Sequence, residues 1–343
     1  MPDTYTSQFS GEEIDSALRA AQMISGASTP AELRKKLEIR GDTIPVSVAD
    51  PTPVSEALTA SGGSVNPNLL DNWYFGRPVN QRGQTEYTGG GYCIDRWMRS
   101  FDGKSTLSLS EGGIKITSGA TSWNNFEQKL ENFPANTTVT ISFLVDDTAN
   151  INQVYVMKSS QQVSTFTPAN KNLFTFTTNV GDNPSNNGVG IQVKTDKTAI
   201  IYAAKLELGS AQTLAHKENG VWVLNEVPDF GEQLRRCQRY YYQSFEGSNP
   251  KTNRGACAFI AGTASSAPMA LAFPVEMRTT PVVKIYSPQT GNEGKAAEWI
   301  TDEDITAACH TDFTNNKVLA INTYGNATIG KTYAFHYTAS ADL

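Results

Sequence analysis

From residue 114 to residue 206 the chain consists of short, mostly alternating apolar runs separated by turn clusters, with no helix read between them. Runs 114–116, 139–145, 154–157, 173–177, 189–193 and 200–206 read as strands, separated by turn clusters such as Gly112-Gly113, Pro134-Ala135-Asn136 and Asp182-Asn183-Pro184. Strands at this spacing, without helices to cover them, bury their apolar faces by stacking sheet on sheet, as in a sandwich or jelly roll. A second series follows at 256–261, 269–273, 282–286, 318–322 and 333–337. Between the two, residues 233–244 (QLRRCQRYYYQS) read as a short helical entry leading into a strand.

Helical signals gather at the start. Ser10 and Glu13 fit a capping box, and Ile14, Leu18 and Ala21 recur on one face. Thr29, Pro30 and Glu32 open a second short helix that ends at Gly41. Both apolar stripes are too thin to be buried alone, so these helices need a partner, either copies of themselves or a larger particle. The following Pro-, Ser-, Thr- and Gly-rich stretch reads as a linker. The fold class is therefore mainly β, with short N-terminal helices followed by two β-sandwich (jelly-roll) domains. The boundaries are 1–41 for the helical attachment segment, 42–66 for the linker, 67–231 for the first sandwich and 232–343 for the second. A length of 343 residues suits two domains plus an extension.

A net charge of −6 without any basic block leaves no footprint for a nucleic-acid partner. No apolar run reaches the ~18 residues of a membrane span, and residues 1–10 have neither a basic start nor an apolar core, so membrane insertion and secretion are not expected. Cys93, Cys237, Cys257 and Cys309 lie far apart, and reduced, buried thiols are the expectation.

Three stretches together carry a resemblance. Asn68-Leu69-Leu70-Asp71-Asn72 through Phe75, then residues 78–83 (PVNQRG), then residues 92–97 (YCIDRW) resemble the opening of the carbohydrate-binding-module-like, galactose-binding-type jelly roll of bacteriophage and prophage tail fibres. Residues 204–209 (AKLELG) look like the closing strand of that module, and 230–234 with 237–241 resemble the hinge into a C-terminal β domain. The stretch FSGEEIDSALRAA is similar to the helix that begins many prophage tail proteins, and 273–281 (FPVEMRTTP) resembles a segment of their C-terminal domains. The resemblance implies a structural, receptor-binding virion protein, assembled in the bacterial cytoplasm. It also implies a homotrimer, tail or baseplate proteins as partners of the N-terminal segment, and a host-surface glycan or protein as ligand.

Enzymatic constellations are poor. His216, His310 and His336 have no ligand spacing, and no nucleophile, zinc or phosphate-binding motif is present. The chain is read as non-enzymatic and without a cofactor. Asp146-Asp147 and Asp302-Glu303-Asp304 are acid clusters, but neighbours on a strand point to opposite faces, and solvated loop acids are the simpler reading. A calcium loop at 182–187 is weighed against a plain Asn-rich turn. Glycan binding needs an aromatic face beside amide groups. Trp123, Asn124 and Asn125 meet that need, with Trp73, Tyr74, Tyr87 and Tyr92 as further candidates, and Trp299, Tyr286 and Tyr324 in the last domain. Trp97 is expected in the core, while Arg82, Arg96 and Asp95 form either a buried ion pair or an interface contact. Two alternatives stand beside host recognition: a glycan-degrading depolymerase, and an adaptor between fibre and baseplate that binds no host ligand.

Overall fold

A computed structural model describes residues 66–343 apart from 102–103, 120–123, 159–160, 166–169 and 181–187. The helices expected in 1–41, the linker as far as residue 65, Trp123 and the loop 182–187 lie outside the described residues. Asn66–Ala215 and Glu226–Leu343 form one compact unit. The strands β13 (Ala215–Glu218) and β14 (Val221–Leu224) form a hairpin by themselves, turned at Asn219-Gly220, whose φ values of 50° and 84° are those of a tight two-residue turn.

The protein is mainly β, with antiparallel sheets in sandwich-like arrangements. One six-stranded sheet of the first sandwich runs β1 (Glu86–Tyr87), β4 (Thr106–Ser110), β5 (Gly113–Thr117), β12 (Thr198–Leu208), β7 (Thr137–Val145), β10 (Leu173–Val180). The other runs β2 (Gly91–Tyr92), β3 (Trp97–Phe101), β6 (Asn124–Lys129), β11 (Gly188–Val193), β8 (Ile151–Lys158), β9 (Gln161–Thr165). Every strand run read from the sequence in this half falls within one of these strands.

Aromatic rings join the two sheets. Trp97 of β3 stacks on Phe126 of β6 at 4.6 Å between ring centres and meets the edges of Phe75 at 5.1 Å and of Phe143, from the opposite sheet, at 6.3 Å. All four are buried, so Trp97 is the core residue its strand pattern predicts. Such pairs add about 0.5–1.5 kcal/mol each beyond the area they bury. Residues 68–75 then run along β12. Leu69 N–H donates to the Leu206 carbonyl, Phe75 N–H to that of Tyr202, and Ala204 N–H to that of Trp73. The Asn68 amide fixes this docking, donating to the Ala204 carbonyl at 2.8 Å and accepting from Leu206 N–H at 3.1 Å. The opening and closing motifs of the sequence are thus two sides of one pairing.

Helix α1 (Phe230–Gln238), capped by the Asp229 carboxylate on Glu232 N–H, leads into the C-terminal half. That half has β15 (Tyr241–Gln243), β16 (Cys257–Ile260), β17 (Ser266–Ala272), β18 (Val282–Tyr286), β19 (Lys295–Glu298), β20 (Asp304–Thr306), β21 (Ala308–Cys309), β22 (Val318–Asn322) and β23 (Thr332–Ser340). The long strand β23 organises it: β16 and β19 pair along its first half, β15 and β18 along its second. A separate sheet, β17-β22-β21, closes over a core that includes Phe259, Met277, Leu319 and Phe335.

The expected hinge is an ionic seam. The boundary drawn at 231 falls inside α1, whose Gln233 side chain accepts from Asn72 N–H at 2.6 Å and whose Arg236 pairs with Asp71 at 2.7 Å. Arg96 pairs with the same Asp71 and lies 3.5 Å over the Tyr240 ring, while Arg239 pairs with Glu131. Further along, Gly83 (φ +68°) approaches Gly247 so closely that a Cβ on Gly83 would lie 2.3 Å from its backbone. Gly83→Ala therefore both strains the backbone and forces the seam apart, and it should lower unfolding free energy by about 2–4 kcal/mol. Gly89→Ala, where a Cβ meets nothing within 4 Å, should stay within about 0.5 kcal/mol of wild type; urea unfolding of both variants checks the contrast.

Candidate functional site

The seam opens on one side into a cleft of about 450 Å³. Its first wall comes from β1, β2 and their connection, with Tyr87, Gly89, Gly90 and Tyr92. Its second comes from the C-terminal half, with Tyr241 and Gln243 on β15, Phe245, Tyr286 at the end of β18 and Thr338 on β23. Gln84 and Ser248 stand at the margins, and Arg82 lies in the floor between the walls.

Hydrogen bonds fix the aromatic rings. The Tyr87 hydroxyl donates to Asn80 Oδ1 at 2.6 Å, that of Tyr92 to the main-chain oxygen of Leu343 at 2.6 Å, and that of Tyr241 to Gln243 Oε1 at 3.0 Å. Gln243 in turn donates to the carbonyls of Phe245 and Gly247, and Phe245 meets the Tyr286 ring edge-on at 6.0 Å. Their hydroxyls are thus engaged within the protein, and Tyr87 and Phe245 are themselves buried. Burial raises the pKa of Tyr87, Tyr92 and Tyr241, so all three stay neutral across the physiological range.

Arg82 holds the floor. Its Nη1 pairs with Asp95 at 2.9 Å, its Nη2 with Asp342 at 2.6 Å, and its guanidinium lies 3.8 Å from the Tyr241 ring and 5.4 Å from that of Tyr92. Gln81 adds a bond from its backbone N–H to Asp95 and one from its side chain to the Tyr241 carbonyl. Burial works against the Arg82 charge, but Asp95 and Asp342 outweigh it and the pKa rises. Burial also lifts Asp95 to about 6, against the opposing pull of Arg82, and raises Asp342 in the same direction. Both readings of Arg82, Arg96 and Asp95 are realised: Arg82–Asp95 is a buried pair at the seam, and Arg96 finds Asp71 instead.

Of the residues singled out by sequence, the structure brings Tyr87, Tyr92 and Tyr286 to this one cleft. Trp73 is 3% exposed and packs in the core, so it presents no face to a sugar. Asn124 is fully buried, bonded both ways to the Val193 backbone, and Asn125 accepts from Gln192, so these amides hold strands β6 and β11 together. Tyr74 lines a separate cavity of about 260 Å³ with Arg77 and Phe230. Trp299 and Tyr324 are exposed elsewhere on the C-terminal half. Tyr241, Phe245 and Gln84 were missed; the YYY run at 240–242 was the available signal.

The remaining chemistry is structural. Asp146 accepts from the N–H groups of Asp147 and Ile200, and Asp147 caps a short turn of helix. Asp302 sits in a turn at φ 60°, and Asp304 accepts from Thr290. The buried His336 ring donates from Nε2 to the Thr252 carbonyl, which leaves Nδ1 to accept from Ser244, and burial lowers its pKa. Cys93 and Cys237 are buried, Cys257 and Cys309 half-buried, and burial pushes the Cys93 thiol up to about 12. Among the described residues no group of three His, Cys, Asp or Glu side chains is placed to hold a metal, and no helix is long and apolar enough to cross a membrane.

No family model matches the sequence, and no match was found among curated proteins. Solved structures similar over part of the chain include the CBM22-1 xylan-binding domain of Xyn10C from Paenibacillus barcinonensis. It is 12% identical over 44% of this chain and 99% of that one, with a TM-score of 0.30. The low-affinity xylan-binding module CBM86 from Roseburia intestinalis is 14% identical over 37% and 97%, with a TM-score of 0.26. The enzymatically active domain of tailspike protein 4 of bacteriophage CBA120 is 10% identical over 41% of this chain and 21% of that one, also at 0.26.

The raised Asp95 pKa has a measurable consequence. An unfolded aspartate releases its proton near pH 4, whereas folded Asp95 keeps it to about pH 6. Between those values the folded chain holds the extra proton, so stability is greatest below the window and falls as pH rises through it, by up to about 3 kcal/mol. Asp95→Asn should lose this contribution to the slope. Urea unfolding at pH 4.5 and 7 should show the wild type losing more between the two than the variant does.

Proposed function

We propose that the chain is a structural and receptor-binding component of a bacteriophage or phage-like tail, located in the virion and assembled in the host cytoplasm, which recognises a host-surface glycan. The cleft carries the glycan reading: aromatic residues from two modules, Tyr92 from one and Tyr241 and Tyr286 from the other, line it together with Gln84, Ser248 and Thr338. A sugar ring offers C–H faces to aromatic surfaces and hydroxyls to amides and hydroxyls, so this lining suits it. The phage assignment is supported by the sequence resemblance, whose motifs Asn68-Leu69-Leu70 and Ala204-Lys205-Leu206 pair directly.

Binding is favoured over hydrolysis by the same lining. Glycoside cleavage in most families needs two carboxyl groups flanking the bond, and among the described residues none that lines the cleft is acidic. A single cleft of this kind binds weakly, so attachment in the tail rests on several copies acting together, as in a homotrimer held through residues 1–41 with tail or baseplate proteins as partners.

The full chain on an array of bacterial capsule, lipopolysaccharide and wall glycans should bind at least one of them. Tyr286→Ala should weaken that binding about tenfold, the upper end of what one aromatic contact supplies, while Trp299→Ala leaves it unchanged. Binding to no glycan, or equal loss in both variants, would count against the cleft. Antibody labelling of purified particles tests the location, with a label absent from the tail as the contrary result.

A further inference from the structure

We infer that the seam holds a second binding site, a cavity that takes a phosphate group. It shares no lining residue with the aromatic cleft, so it stands independently of the glycan reading.

The cavity, of about 290 Å³, lies where the first sandwich meets α1 and the turn that follows it. Its charged lining sets three arginines, Arg96, Arg236 and Arg239, against two carboxylates, Asp71 and Glu131. Neighbouring charges do not cancel that excess. Asp95 and Asp342 share Arg82, and Arg278 donates to the carbonyls of Ala341 and Asp342, so that group holds two acids and two arginines. Glu232 pairs with Arg235 at the surface, and the buried Cys237 stays a neutral thiol.

The three arginines also have donors to spare. Arg96 is 2% exposed; its Nε donates to Asp71 and its Nη2 to the Lys129 carbonyl, while the Tyr240 ring lies 3.5 Å from the guanidinium. Among the described residues no acceptor reaches its Nη1. Burying a charged donor without an acceptor is costly, so an orphan of this kind on a residue that lines a polar cavity points to a ligand oxygen. Arg236 reaches Asp71 through Nη2 at 2.7 Å, and Arg239 reaches Glu131 through Nη2 at 2.9 Å, which leaves Nε and Nη1 of each without a carboxylate partner. Both side chains are more than a third exposed, at 37% and 41%, so a ligand can reach them from solvent.

The arrangement of donors decides the kind of anion. A planar carboxylate is satisfied by the fork of a single guanidinium, as Glu131 is by Arg239. Donors left over on three separate guanidinium groups suit a tetrahedral anion, whose oxygens point in several directions at once.

The test is calorimetric titration of the full chain, at an ionic strength held constant with sodium chloride, with inorganic phosphate, a hexose phosphate and a hexuronate. Both phosphates should bind, and the uronate should bind about tenfold more weakly than the hexose phosphate, the loss of one charge-assisted hydrogen bond. The tighter of the two phosphates identifies the source, a phosphorylated glycan or the free ion. Arg236→Gln and Arg239→Gln should each weaken phosphate binding about tenfold for the same reason. Arg235→Gln, one position away and paired with Glu232, and Tyr286→Ala in the aromatic cleft should leave it unchanged. The ligand comparison needs no substitution and stands if a variant fails to fold. Phosphate that does not bind above the chloride background, a uronate that binds as well, or equal weakening by Arg235→Gln or Tyr286→Ala overturns the inference.

Discussion

The contact on which the rest of the structure depends is the Arg82 guanidinium clamped between Asp95 of the first sandwich and Asp342 beyond the last strand. A buried ion pair of this kind is weak support for stability in itself, because desolvation offsets much of the attraction. Removing one partner is another matter, since it strands a charge in a poorly hydrated place at a cost of about 3–5 kcal/mol. The clamp therefore acts mainly on arrangement. Modules that slid or rotated at this seam would leave a carboxylate or the guanidinium unpaired, and the close Gly83–Gly247 approach leaves little room for any other register.

Around that clamp the seam is a run of arginines working in different ways. Arg96 and Arg236 converge on Asp71, Arg239 reaches Glu131, and Arg96 and Arg82 also lie on tyrosine rings. Planar guanidinium groups can pair and stack at once, which lysine cannot do, and the seam uses both capacities. The same contacts prepare the cleft. Tyr92 and Tyr241 are fixed by the groups that join the modules, so a ligand of the proposed site would find them already ordered and less ordering entropy would oppose binding.

How far the sequence reveals this differs by element. Run 282–286 coincides with β18, where alternation over a half-buried sheet leaves a direct signature, and 318–322 coincides with β22 as a short continuous apolar run buried at its centre. The entry at 233–244 resolves into α1 and β15, which the polar, arginine-rich composition left ambiguous. Short strands such as β1, β2 and β21 have two residues each, too few for any period to register. Tyr87 and Tyr92 are legible as aromatic candidates, yet nothing local separates them from Trp73, and Tyr87 is itself largely buried. Their partners Tyr241 and Tyr286 lie some 150 to 200 positions away, and only the folded seam shows that they share a site.

The motifs that carry the family resemblance prove to be architectural. Asn68 locks the incoming chain onto β12, and the Asn72 side chain bonds Val79 in both directions and the Asp95 carbonyl, with its own backbone at φ 51°. Those roles are the same whatever the cleft holds, so such a motif can identify a scaffold while saying nothing of its ligand. Residues of the proposed glycan cleft lie partly outside those motifs, as Gln84, Tyr286 and Thr338 do. Arg82 and Tyr92 belong to both, and Asp95 couples scaffold to cleft by accepting from Gln81 N–H while pairing with the Arg82 that lines it.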